Sequence, residues 1–456
     1  MSEQNDNERV IGLPENAYRE LKPGEEYNPV MSPLKIVPEV TLYSVLWGLL
    51  MAIIFSAAAA YLGLKIGQVF EAAIPIAIIA IGISALTKRK NALGENIIIQ
   101  SIGSSSGVIV AGAIFTLPAL YILNLEAHFY QVFFSSLLGG VLGILFLIPF
   151  RKYFVQDMHG QYPFPEATAT TEVLISGEKG GKQAKLLLIS GLVGGLYDFI
   201  IATFGWWSEV FTTRVIPFGA TLANKAKMVF QINVGAAIVG LGYIIGLKYA
   251  AIICAGSFVG WFVFIPFLNY FAEGMASPVG TNALALIGDM SAEEIFSHYI
   301  RPIGIGGIAM AGIIGIIRSW NIIKQAVGLA VSETVGRKGG ATKEELRTRR
   351  DLPMKIIGFG LIATALLIFI FFQFGVVHNL THALVGLGIV MIIAFLFTTV
   401  AANAIAIVGT NPVSGMTLMT LIIASIILAS VGLSGESGMV AALIIGGVVC
   451  TALSMA

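Results

Sequence analysis

The sequence predicts an all-α, polytopic integral membrane protein with about twelve transmembrane helices in this chain and with broken or re-entrant polar segments. Of its 456 residues, 56% are hydrophobic and 12% are charged, and the mean hydropathy is +0.86. Soluble domains carry about a quarter charged residues, so an ordinary soluble enzyme is excluded. The formal net charge is +1, so no overall basic field attracts nucleic acid.

Apolar runs of roughly 20 residues, the length that crosses a bilayer, recur along the chain. We predict spans at 42–66, 70–86, 97–123, 131–150, 186–204, 229–247, 252–271, 303–317, 354–374, 383–400, 416–433 and 439–456. The expected organisation is a polar tail at 1–40, transmembrane helices at 41–330, a basic loop at 331–353 and further transmembrane helices at 354–456.

The tail begins with acidic and amide residues and lacks the basic start and cleavage site of a secretory signal. Placing it in the cytoplasm and alternating the spans assigns 22 of the 27 Lys and Arg residues to the cytoplasmic side. This is the bias of the positive-inside rule. It predicts a multi-pass protein of the cytoplasmic (inner) membrane with a cytoplasmic N-terminus and a cytoplasmic loop at 331–353.

Three clusters rich in Gly, Ser, Asn or Pro interrupt the apolar runs. They lie at 94–107 with Pro118 following, at 162–172 and at 401–416. Non-helical backbone at membrane depth survives only inside protein or beside a wet cavity. We therefore expect the helices to break at these clusters and to form a binding site there.

Ionisable residues inside apolar runs are costly and are often functional. The acidic ones here are Glu71, Glu95, Glu166, Glu172 and Asp198. Glu166 and Glu172 are six residues apart, so a helix would point them in different directions. Asp198 lies near the middle of its run and fits either a proton-binding carboxylate or a hydrogen bond between helices.

Enzyme motifs are incomplete. The G-x-S-x-G match at 103–107 lacks the strand that precedes a nucleophile elbow, and no phosphate-binding G-x-x-x-x-G-K-[ST] motif occurs. His378 and His382 have helical spacing for one metal ion but lack the accompanying Glu of H-E-x-x-H. We predict neither an enzyme nor a cofactor, and expect that any transport would draw on an ion gradient.

Several blocks of sequence together closely resemble the oligopeptide transporter family, in particular its prokaryotic branch, which is related to the yellow-stripe-like transporters. They lie at 60–67 with 73–75, 95–101, 111–120, 165–168 with 172–178, 299–304, 350–354 and 411–417. The resemblance implies a secondary, proton-coupled transporter that imports small peptides. Two alternatives stay open: a carrier of metal chelates or siderophore-like compounds, and a non-transporting membrane subunit.

The chain departs from the family pattern in two ways. Gly107 stands where some relatives carry a Glu in the Ser- and Gly-rich stretch, so no proton role is assigned there. Relatives also continue with further helices, whereas Ala456 ends within an apolar run, which predicts a C-terminally truncated chain. The sequence leaves the oligomeric state open, a homo-oligomer included.

The predicted proton- and substrate-binding residues follow from the broken segments and the resemblance together. Four are carboxylates: Glu166, Glu172, Glu95 and Asp198. Six are polar candidates for the lining of the transport path: Asn96, Gln100, Tyr162, Thr168, Asn411 and Ser414. The expected partners are a peptide or metal-chelate substrate, protons and the lipid bilayer.

Overall fold

Helices make up almost all of the regular structure in the described part of the chain, which confirms the predicted all-α class. The computed structural model describes residues 13–34, 36–66, 69, 72–178, 182–245, 247–272, 274–275, 277–279, 285–318, 350–409 and 413–455. The chain forms two compact units, one comprising Met1–Leu187 with Ala311–Ala456 and the other Leu188–Met310.

The elements are numbered in chain order. The α-helices are α1 (Leu42–Ile66), α2 (Ala73–Leu86), α3 (Leu93–Ile114), α4 (Pro118–Ile122), α5 (Phe129–Lys152), α6 (Pro165–Glu178), α7 (Lys182–Phe204), α8 (Pro217–Lys225), α9 (Ala236–Ile245), α10 (Leu247–Phe258), α11 (Ile265–Phe271), α12 (Ala292–Ile295), α13 (Arg301–Arg318), α14 (Met354–Gly375), α15 (Leu380–Val408), α16 (Val413–Ser430) and α17 (Gly435–Met455). The strands are β1 (Val210–Thr212) and β2 (Gln231–Asn233). Short π-helical turns extend α5 through Tyr153–Asp157 and join α10 to α11 through Val259–Phe264.

Seven helices within the described residues are long and apolar enough to cross a membrane. They are Leu42–Tyr61, Leu93–Ile114, Phe129–Asp157, Ala250–Phe271, Met354–Gly375, Leu380–Val408 and Gly435–Met455. Shorter apolar helices cover Ala73–Leu86, Ile189–Phe204 and Gly415–Ser430. These ten segments overlap ten of the twelve predicted runs, which supports a polytopic membrane protein.

Two predicted spans differ from the structure. The run at 229–247 begins with strand β2 and becomes helical only at Ala236, because Asn233 and Gly235 form a turn in which the Asn233 side chain accepts from the Gly235 amide. The run at 97–123 is divided between α3 and α4. Pro118 begins α4, since proline suits the first turn of a helix but interrupts its interior.

Helix α17 is the centre of the first unit, and every residue from 441 to 454 is buried. It packs on α5 through Gly139 and Gly143, which lie close to the Val448 and Ala452 backbone, and on α3 through Gly112, which lies close to Thr451. Small residues permit this approach of one helix backbone to another. The interface leaves no room for a side chain at these three glycines.

The predicted break at the Ser- and Gly-rich cluster is wrong, because helix α3 is continuous there. It continues from Leu93 to Ile114, and the hydroxyl groups of Ser104, Ser105 and Ser106 each donate to the carbonyl three residues earlier. These hydrogen bonds satisfy the hydroxyl groups within the helix itself. The serines therefore do not force the backbone out of the helical path.

The other two clusters do interrupt helices. The segment at 162–172 contains an irregular turn in which Phe164 has a positive φ of 40°, and α6 begins directly after it. Helix α15 ends at Gly409, whose φ of 81° gives the left-handed conformation that favours glycine. The Phe164 amide donates to the Ala406 carbonyl at 3.0 Å, so the start of α6 lies against the end of α15.

The second unit contains the antiparallel pair β1 and β2, with Val210 opposite Asn233. Its core is formed by buried apolar side chains of α8, α11, α12 and the intervening loops, including Ala223, Ile265 and Ile295.

Candidate functional site

A cavity of about 450 Å³ lies in the first unit beside the two interrupted helices. Its walls come from the N-terminal tail, α2, α3, α6 and the end of α15. The polar lining residues are Gln100, Ser104, Glu166, Thr170 and Thr171 together with Tyr27, and the remainder is largely apolar. The volume lies within the range of roughly 300–1,000 Å³ that is usual for small-molecule sites.

Glu166 is the acidic residue among the described residues that line this cavity. It lies in the first turn of α6, directly after Pro165, where the exposed amides of a helix start favour negative charge. Thr170, one helical turn later, is 5% exposed, and its hydroxyl has no hydrogen-bond partner among the described residues. The site therefore offers a carboxylate and a buried hydroxyl to a polar ligand.

Gln100 supplies a second polar wall from α3. Its side-chain amide lies 3.4 Å from the hydroxyl of Ser104, one turn further along the same helix. The structure thus brings two of the ten predicted residues, Glu166 and Gln100, to one cavity.

Glu172 lies outside the cavity lining, in surroundings different from those of Glu166. Its carboxylate accepts a hydrogen bond from the hydroxyl of Tyr18 in the N-terminal tail. Burial, followed by this hydrogen bond, raises the pKa of Tyr18 to about 12. Tyr18 therefore remains a donor at neutral pH.

Glu95 is 2% exposed at the start of α3 and is paired. The Arg89 side chain donates to both carboxylate oxygens at 2.6 Å, and the Thr41 hydroxyl donates to one of them at 2.6 Å. The carboxylate in turn raises the pKa of Arg89, whose guanidinium also lies over the Tyr43 ring. This network connects Thr41, directly before α1, to the turn between α2 and α3.

Three polar candidates have local partners. Asn96 donates to the Ser84 hydroxyl at 3.1 Å, and Thr168 donates to the Pro163 carbonyl at 3.1 Å. The Tyr162 ring packs against Phe154 and Phe164. These contacts do not test the predicted role of the three residues as lining of a transport path.

Asp198 belongs to the second unit. One of its carboxylate oxygens accepts from the Ala236 amide at 2.7 Å, at the first residue of α9. The sequence left two roles open for Asp198, a hydrogen bond between helices and a proton-binding carboxylate. This contact is of the first kind. Asn411 and the side chain of Ser414 lie outside what the structure describes.

Comparison with known proteins assigns the chain to a family. Residues 39–456 match the family described as OPT oligopeptide transporter protein. The chain belongs to the oligopeptide transporter family. This confirms the resemblance found in the sequence.

One relative of this oligopeptide transporter family protein comes from Haemophilus influenzae and bears the name "Putative oligopeptide transporter". The two sequences are 31% identical over 320 residues, which cover 68% of this chain and 46% of the relative. The chain thus spans less than half the length of the relative it matches.

Four polar residues of the cavity in this family member were absent from the predicted set: Ser104, Thr170, Thr171 and Tyr27. The spacing contained a signal for two of them. Ser104 follows Gln100 by four residues and Thr170 follows Glu166 by four, so each lies one helical turn from a predicted residue. Tyr27 carried no such signal, because it reaches the cavity from a segment with little regular structure.

The ion pair of Glu95 yields a stability prediction. We expect Arg89→Met to lower the free energy of unfolding by about 1–3 kcal/mol, because Glu95 would stay buried without its main donor. Adding Glu95→Gln should recover part of this loss, since a neutral amide costs less to bury. Unfolding in mixed detergent micelles, followed by circular dichroism, measures both. Lys90→Met, at the exposed neighbouring position, is the matched control, and an equal effect of the two single changes would show that the pair contributes nothing.

Proposed function

We propose that the protein is a secondary active transporter that imports small peptides across the cytoplasmic membrane together with protons. The observation that carries the proposal is the cavity lined by Glu166, by Gln100 and by Thr170, whose buried hydroxyl has no hydrogen-bond partner among the described residues. Membership of the oligopeptide transporter family and the name of the Haemophilus influenzae relative support the peptide substrate.

The cavity chemistry suits a peptide with a free amino terminus. Its described lining contains the carboxyl group of Glu166, which can accept a hydrogen bond from the amino terminus of a peptide. Gln100 and Thr170 can bind amide groups of a peptide backbone. Apolar side chains such as Ile97, Leu174 and Ile405 form much of the remaining wall and would accept varied side chains by contact rather than by hydrogen bonding.

Proton coupling follows from the same carboxylate. A carboxyl group within a membrane protein is a common proton carrier because its ionised form is costly unless it is paired or hydrated. In the proposed cycle, Glu166 takes up a proton on the outer side, the peptide binds beside the protonated carboxyl group, and both are released on the cytoplasmic side. Movement of the proton and the peptide in the same step would link peptide import to proton import.

The proposed orientation places the tail, the turn around Arg89, the end of α5 and the start of α14 on the cytoplasmic side. Two contacts support this placement. Arg151 donates to Asp351 at 2.5 and 3.0 Å, which joins the end of α5 to the segment before α14. His159, just after α5, contacts the Asn16 carbonyl of the tail. The proposed domains are thus the tail at 1–40, the transmembrane helices at 41–330, the basic loop at 331–353 and the transmembrane helices at 354–456.

A liposome assay tests the proposal. The complete reading frame is reconstituted with a pH-sensitive dye inside, and di- and tripeptides are added outside under an inward proton gradient. We expect peptide-dependent acidification of the lumen. Acidification with metal chelates but not with peptides would replace the peptide substrate by the chelate alternative, and silence with both would contradict the proposed transport activity.

A further inference from the structure

The N-terminal tail forms part of the cavity. Residues 13–34, the strap, carry many polar side chains, yet Leu13, Tyr27, Val30 and Met31 line the cavity together with α3 and α6. A merely solvated tail would not need apolar side chains at these points. The strap therefore covers one side of the space in which Glu166 and Gln100 lie.

The strap has a fixed internal turn. Arg19 donates to both carboxylate oxygens of Glu25, at 2.8 and 2.9 Å, and the Lys22 amide donates to Glu25 at 2.9 Å. The Asn16 side chain donates to the same carboxylate at 3.2 Å. The Arg19 hydrogen bonds, followed by the hydrogen bond from the Lys22 amide, lower the pKa of Glu25 to about 2, because they stabilise the ionised carboxylate.

Three contacts anchor this turn to the body of the first unit. Tyr18 donates to Glu172 on α6, and the Nε2 atom of His159 lies 2.8 Å from the Asn16 carbonyl oxygen. The Tyr27 ring packs on His159 with centroids 5.0 Å apart. These are contacts between exposed or half-buried groups, which open at far lower cost than the buried core around α17.

Gly160 makes the closest approach. It adopts a positive φ of 74°, and a methyl group added there would overlap the Arg19 carbonyl group and the Glu20 amide nitrogen. The strap backbone thus lies directly on the loop between α5 and α6. A side chain at Gly160 would have to push the strap away from its seat.

We infer that the strap is a cytoplasmic gate: it completes the wall of the cavity when seated, and it must leave its seat before a substrate can pass on that side. This inference rests on the proposed function for the identity of the substrate. It rests on the contacts of the strap alone for the closure. Tyr27, Val30 and Met31 would then contact the bound substrate only in the closed state.

Cysteine labelling tests the closure without any substrate. In a Cys254→Ser background, which removes the exposed native thiol and leaves the buried Cys450, Ser104→Cys places a reporter in the cavity. We expect Gly160→Ala, and separately Tyr18→Phe, to raise the rate of maleimide labelling severalfold. Gly432→Ala is the matched control, because Gly432 has a similar φ of 88° but no atom within 4 Å of an added methyl group. Equal labelling rates in all variants would overturn the inference.

A reversible lock gives a second measurement if Gly160→Ala fails to fold. In the Cys254→Ser background, Asn16→Cys and His159→Cys, joined by a short bis-methanethiosulfonate reagent, would hold the strap on the loop between α5 and α6. We expect the cross-linked protein to stop peptide counterflow and to regain it after dithiothreitol. Unchanged peptide counterflow in the cross-linked protein would contradict the gate. If the protein without the cross-link also shows no counterflow, the peptide substrate is contradicted instead, and the labelling experiment alone tests the gate.

Discussion

Replacing Gly143 by alanine is expected to lower the free energy of unfolding by about 1–3 kcal/mol, although alanine is the better helix former. The added methyl group would overlap the Ala452 carbonyl oxygen and lie 2.9 Å from the Ala452 Cα and carbonyl carbon. Backbone atoms of a buried helix cannot rotate away as a side chain can. Helix α17 would therefore have to shift from α5, and its contacts with α3 and α16 would shift with it.

Gly140→Ala on the same helix is the matched control. A methyl group there would lie 3.7 Å from the Met455 side chain, an ordinary contact, so we expect unchanged stability or a gain of up to about 1 kcal/mol from helix propensity. Equilibrium unfolding in mixed micelles, with size-exclusion chromatography to detect aggregation, compares the two variants. Equal stability of both would show that the α5–α17 approach is looser than the structure indicates.

Replacing Glu166 by glutamine is expected to reduce peptide-driven acidification by about tenfold or more, which corresponds to at least 1.4 kcal/mol. Glutamine keeps the size of the side chain but can neither carry the proton nor pair with an ammonium group. The liposome assay measures the effect. Glu126→Gln, which changes an exposed carboxylate in the loop after α4, should leave transport unaltered.

Two further arms separate the proposed roles of Glu166. Peptide counterflow without a proton gradient should persist in Glu166→Gln if the carboxylate only carries the proton, and should fall if it also binds the substrate. An N-acetylated peptide, which lacks the ammonium group, should compete poorly with the free peptide for uptake by the unmodified protein. In Glu166→Gln, the two peptides should compete about equally. Full acidification by Glu166→Gln would remove Glu166 from the proposed site.

The fold was predictable from the sequence to the extent that it depends on apolar length. Runs such as 354–374 and 42–66 appear as helices with nearly the same bounds, because a long apolar run has few alternatives in a bilayer. The Ser- and Gly-rich part of α3 was mispredicted because composition does not reveal whether a serine hydroxyl finds a carbonyl within its own helix. The turn at Asn233 and Gly235 was missed for a similar reason, since hydropathy averages over short polar breaks.

The site was predictable only in part. Glu166 and Gln100 were identified as polar residues near helix interruptions, and the structure places both at one cavity. The sequence predicted a polar cytoplasmic tail, and the contribution of this tail to the cavity depends on contacts between residues more than 140 positions apart, such as Asn16 with His159. A single sequence contains no periodic pattern that would reveal such a contact.

The central position of α17 also has a consequence for biosynthesis. The glycine faces of α3 and α5 are synthesised before residues 435–455, because both helices precede α17 in the chain. Until then their grooves lie open to lipid or to neighbouring chains, and the first unit cannot complete its packing. Packing of the first unit can therefore be completed only after α17 has been synthesised, because the helix that fills both glycine grooves comes last of the three in the chain.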